Sequence, residues 1–133
     1  MAAVDVIDSY LEALPGAARN VAHGKWGLSV PADDWPVEIG LRLTDGLLTV
    51  KALALTDSEG LDPWILLWWN RSTRHARFAC TQGREIWVHA DLPAAAVAER
   101  ELDRVLGLVM EGATAVRDFQ RARRVPAQGR GGL

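Results

Sequence analysis

Cysteine is nearly absent from this chain. Cys80 stands alone, so no intrachain disulfide can form, and a small secreted scaffold held by several bridges is excluded. A reducing cytoplasm is the expected setting. Basic residues are missing from the start: MAAVDVIDSYLEAL carries Asp5, Asp8 and Glu12 before the first cation, Arg19, and lacks the positive flank and unbroken apolar core of a secretory signal. Long apolar runs are missing too, since GLLTVKALAL and WILLWW fall far short of the ~20 residues a membrane-spanning helix needs. The expectation is a cytoplasmic protein with no membrane partner.

The signatures of chemistry are equally scarce. His23, His75 and His89 form no H-x-x-H or H-E-x-x-H pattern, and none flanks Cys80 in a metal-binding run. Asp33-Asp34 sits in a proline-bounded turn with nothing apolar beside it to raise a carboxyl pKa for general acid work. Cys80 reads first as a small buried hydrophobe. The four serines lie in no G-x-S-x-G or S-x-x-K setting, and GRGGL follows no strand and opens no helix, so it is no phosphate loop. Neither cofactor nor metal is expected, and no catalytic residue is assigned.

What the chain does have is enough apolar material for one core. With 133 residues, 49% of them apolar, it fits a single domain and leaves no room for a second. The net charge of −2 hides an asymmetry: from Arg117 onward five arginines stand against Asp118, a net +4, which leaves −6 on residues 1–116. An acidic body repels a polyanion, so no nucleic-acid partner is expected. The end of the chain, 122–133, reads as a disordered, solvated basic tail behind a domain spanning 1–121.

Apolar positions at Val4, Ile7, Leu11 and Leu14 predict a helix over 3–14, stopped by Pro15-Gly16. A loop around His23-Gly24 and a short extended piece, Trp26 to Val30, come next. VEIGLRL alternates as a half-buried strand, Thr44-Asp45-Gly46 supplies a hairpin turn, and LLTVKALAL is its partner strand. Asp62-Pro63 reads as N-cap and first position of a short helix ending near Asn70. RFACT and REIWVHA, joined at Gln82-Gly83, form a second hairpin that Asp91-Leu92-Pro93 stops. A last helix starts near Ala98 or Glu99 and buries Leu102, Val105, Leu106, Val109, Met110, Ala113 and Val116 along one stripe. The fold class is therefore α+β, an antiparallel sheet covered by N- and C-terminal helices.

Six tryptophans, Trp26, Trp35, Trp64, Trp68, Trp69 and Trp87, are the compositional outlier. Indole is rarely enclosed completely and is frequent at interfaces. On a helix, Trp64 and Trp68 share one face while Trp69 points aside with Ile65.

KWGLSV, then VEIGLRLTDGLLTVKA, a short helix closed by Asn70, RFACTQGREIWVHADLP and ERELDRVLGLVMEGATAVRDF follow in an order that resembles the YbjN-type bacterial proteins, which are similar in turn to the type III secretion chaperones. The resemblance spans about Ala3 to Phe119, and its most specific pieces are IWVHADLP and LDRVLGLV. Where that family often has Thr or Ser, Ala98 stands here, removing a helix cap worth ~1 kcal/mol. The resemblance implies helices packed on an antiparallel sheet, a dimer, and a role in holding or adapting a protein partner. The expected function is a non-enzymatic protein-binding module, a homodimer meeting an unidentified protein partner through Trp64, Trp68, Trp69 and Trp87. Two alternatives stay open: a small-molecule sensor with an indole-lined pocket, and an enzyme using His89, Asp91 and Cys80, with His75 as a further candidate.

Overall fold

Along the chain run α1 (Ala3–Ala13), β1 (Ala17–Ala22), β2 (Lys25–Val30), β3 (Val37–Thr44), β4 (Leu47–Leu55), α2 (Pro63–Asn70), β5 (Ala76–Cys80), β6 (Ile86–Pro93), a 3₁₀ turn at Ala94–Ala96 and α3 (Glu99–Gly131). The structure is a computed structural model that describes residues 2–131, with the side chains of residues 17 and 124–131 excepted. The expected basic tail, 122–133, lies outside the described residues from 124 in its side chains and wholly at 132–133.

The strands form one antiparallel sheet in the order β1-β2-β3-β4-β6-β5. Register makes one face apolar. Trp26, Leu41, Val50, Ala90 and Ala76 lie opposite one another strand by strand, and all five are buried. The helices cover that face. In α1, Ile7, Tyr10 and Leu11 are buried at helical spacing; in α3, Leu102, Val105, Leu106, Val109, Ala113 and Val116 are. Met110, expected with that stripe, is only partly buried at its edge. Each fully enclosed Leu, Ile or Val adds ~1.5–3 kcal/mol relative to exposure, so this layer supplies most of the stabilisation. Helix and sheet approach closely at Gly112, where a Cβ would stand 3.1 Å from Cγ1 of Val88.

The expected helices and both expected hairpins are present. Asp45 and Gly46, with φ of 54° and 76°, make the left-handed turn that an Asp-Gly step suits. Two boundaries differ from expectation. AARNVA, for which no element was expected, is strand β1, paired to β2 around the expected turn at His23-Gly24, where Gly24 has φ of 71° and accepts the Leu43 N–H at 2.8 Å. An edge strand needs only one partner and no alternation, so polar Arg19 and Asn20 cost it nothing. β6 runs past Asp91 to Pro93, because Pro93 lies opposite Leu47 at the ladder's end, where a missing N–H is tolerated.

Candidate functional site

Helix α2 is built by its caps. The Asp62 carboxylate accepts the Trp64 N–H at 3.0 Å and Pro63 occupies the first turn, as the sequence predicts. At the other end Asn70 behaves as a surrogate strand: its amide donates to the Phe78 carbonyl at 3.2 Å and its oxygen accepts the Phe78 N–H at 2.8 Å. β5 is an edge strand, so these bonds satisfy backbone groups that no neighbouring strand reaches.

The inner side of α2 carries buried Leu66 and half-buried Ile65 and Trp69. Trp69 packs between Phe78 at 5.6 Å and Phe119 at 5.4 Å, measured between ring centres. The outer side is bare. Trp64 is 74% exposed, Leu67 56% and Trp68 61%, a stripe at i, i+3 and i+4, with the Arg71 guanidinium 4.5 Å above the Trp68 ring. Leu67 was not singled out from the sequence, though its spacing from Trp64 was the available signal.

Trp69 therefore anchors the helix, while Trp64 and Trp68 face outward. Trp87 is elsewhere, on the sheet face opposite the helices, half-buried, its indole N–H donating to Glu85 at 3.2 Å. Trp26 is buried and donates to Asp8 at 2.7 Å, which ties β2 to α1. Trp35 lies 4.4 Å beneath Arg117.

Arg117, the first of the five arginines that make the chain's end basic, does not face solvent. It is 5% exposed, and its guanidinium donates to the carbonyls of Ala54 and Trp35, both at 2.7 Å, and of Pro36 and Leu53, both at 3.3 Å. Five fixed N–H donors make such a multiple grip possible. Burial lowers its pKa, Asp34 opposes that shift, and Arg121 adds to it.

Register parts the residues named for the enzyme alternative. His89 and Asp91 share the uncovered sheet face with Trp87, whereas Cys80 lies opposite Ile86 in the row belonging to the covered face, exposed at the end of an edge strand and not the buried hydrophobe the sequence predicts. Asp91 is engaged by Arg77 at 3.0 Å, and exposed His75 lies in the turn before β5. The His89 pKa is lowered, first by burial and then by Lys51 and Arg77, against a smaller upward pull from Asp91. Among the described residues, no group of three or more histidine, cysteine, aspartate or glutamate side chains could hold a metal ion, and no helix is long and apolar enough to cross a membrane.

For the sensor alternative, the structure offers a concavity that is not walled by indoles. The uncovered sheet face holds an open trough of 760 Å³ whose lining mixes Gly27 and Gly40 with six charged residues and apolar Val21 and Leu47; Trp87 is the one indole ring on this face, Trp26 being buried on the covered one.

Solved structures share this architecture. A chain of the HopA1–SchA chaperone–effector complex superposes with a TM-score of 0.65 at 15% identity, covering 86% of this chain and 91% of that one. A chain of the ExsC–ExsE complex gives 0.61 at 17% identity, covering 85% and 92%. The fold is that of the type III secretion chaperones. A third match, from the Yersinia pestis type III secretion chaperone SycH in complex with a stable fragment of YscM2, gives 0.61 at 12% identity over 85% and 98%. No family model and no curated protein matches the chain, so the chaperone-like fold stands on structure alone.

Proposed function

We propose that this chain is a non-enzymatic protein-binding module of the cytoplasm, one YbjN-type domain over residues 1–121, acting as a homodimer in a chaperone-like or adaptor role. One observation carries the reading: Trp64, Leu67 and Trp68 stand 74%, 56% and 61% exposed along one side of α2. Together they present on the order of 400 Å² of apolar surface, the size at which an exposed patch on a monomer marks a contact site. The helix beneath is held by Asp62, Asn70 and Trp69, so association costs little backbone entropy. A chaperone-like fold supports the reading, since the matched structures include a chaperone–effector complex.

Light scattering on a sizing column tests it. The wild type is expected at twice the chain mass of 14.5 kDa, and Trp64→Ser/Trp68→Ser at the single mass with an unchanged circular dichroism spectrum. A wild type that stays monomeric at the highest concentration reached, with both indoles open to quencher, removes the homodimer.

A further inference from the structure

The sheet face turned away from the helices is floored by glycine and rimmed by cations. Gly27 lies opposite Gly40, Gly40 opposite Lys51, and Lys51 opposite His89, so one row across four strands begins with two absent side chains. A Cβ on Gly40 would meet nothing within 4 Å, and one on Gly27 would have the Arg19 guanidinium as its nearest neighbour, 3.3 Å away. The neighbouring row sets Lys25 opposite Arg42. Both lysines of the chain, Lys25 and Lys51, thus stand on this face beside Arg19 and Arg42.

These charges lack counter-ions. Among the described residues none of Arg19, Lys25, Arg42 and Lys51 forms an ion pair; Arg42 reaches only the Thr44 hydroxyl, at 3.1 Å. The acids at the trough are fewer. Glu38 accepts the Ser29 hydroxyl at 2.9 Å, and Asp45 sits in the turn at the trough's end. On a body that is acidic as a whole, four unpaired cations over a glycine floor form a local field of opposite sign. Apolar surface lies next to it, at Val21, Leu47 and Trp87.

We infer that this trough docks an acidic, extended segment of a partner protein, laid across the strands with carboxylates on Arg19, Lys25, Arg42 and Lys51 and an apolar side chain over Gly40. The inference rests on the protein-binding reading above and names the chemistry of the bound segment. From β1 to β6 the trough crosses about 19 Å, the span of about six extended residues. Its open length suits a chain better than a small molecule, which pockets enclose on most sides. Single-stranded nucleic acid is disfavoured because Trp87 is the one indole ring on a face where stacking needs successive aromatic rings.

The probe is a labelled peptide of about eight alternating glutamate and leucine residues, read by fluorescence polarisation against its lysine–leucine and glutamine–leucine counterparts and a thymidine oligonucleotide of equal length. The glutamate peptide is expected to bind wild type most tightly, to weaken with salt, and to bind R42Q/K51Q about tenfold more weakly. Gly40→Val fills the floor and has the same expected effect, with Gly40→Ala as the milder variant if the first melts early. Equal binding of the lysine peptide, or no loss in R42Q/K51Q, overturns the inference. Tighter binding of the oligonucleotide at these residues makes the face a nucleic-acid surface and also overturns it. Dissociation of a wild-type dimer by R42Q/K51Q identifies the occupant as a second copy and overturns it again. If the acidic peptide fails while Trp64→Ser/Trp68→Ser still splits a dimer, the trough alone is refuted and the homodimer reading stands.

Discussion

Tyr10 is the only tyrosine, and it ties the two covering helices together by donating its hydroxyl to the Asp103 carboxylate. Its pKa is raised above the ordinary 10.0, first by burial, then by the hydrogen bond to Asp103 and the negative charges of Asp103 and Glu99. A folded pKa above the unfolded one means the native state holds this proton more tightly. The resulting stability is present in full below the unfolded value of 10.0 and fades as pH rises through the raised one. With no second tyrosine to interfere, tyrosinate absorbance reports this group alone. It should appear at higher pH in native protein than in urea, and Tyr10→Phe should flatten the loss of stability above about pH 10 while costing about 1 kcal/mol at neutral pH. Coincident native and unfolded titrations would remove the coupling. None of this was legible in the sequence, where Tyr10 and Asp103 stand 93 positions apart. Spacing within one helix places a residue on a face but says nothing of which polar atom waits on another helix.

At the scale of elements, α2 shows local signals and tertiary context dividing the work. Asp62 and Pro63 mark its start through bonds to their immediate neighbours, which is why the sequence carries that boundary. Asn70 was singled out as its end, but its task depends on β5 lying alongside, which no local pattern encodes. Asn70→Ala leaves the Phe78 N–H and carbonyl without those partners and is expected to cost about 1–2 kcal/mol. Hydrogen exchange locates the effect: amides of Pro63–Asn70 and β5 should lose protection before the rest of the sheet, and unchanged exchange there would show that the packing of Trp69 suffices alone. The β3–β4 and β5–β6 hairpins were readable from alternation and turn residues. β1 was not, because a polar edge strand obeys no periodicity and exists only where β2 offers its free side.

For the molecule as a whole, Arg117 is the tie between the chain's end and its middle. From α3 it holds the carbonyls of Leu53 and Ala54 at the end of β4 and those of Trp35 and Pro36 just before β3. Arg117→Met should cost about 3 kcal/mol in urea unfolding, since it strips donors from buried carbonyls, and Arg117→Lys should recover only part of that because an ammonium cannot fork. Equal stability of all three proteins would mean that water replaces the guanidinium without penalty. Counted as sequence, Arg117 belonged to a basic end; in the fold it belongs to the core's rim. Trp69 and Trp64 show the same division, identical residues five positions apart, one wedged between Phe78 and Phe119 and the other in the open. Residue order alone settled the fold class, both covering helices and most strand boundaries, because periodicity, caps and turns act between near neighbours. Folding alone decided which indoles face outward, that Cys80 is parted from His89 and Asp91, and that Gly27, Gly40 and four cations share one face. The first depends on which side of α2 packs against the body, the other two on strand register, which brings together positions that chain distance keeps apart.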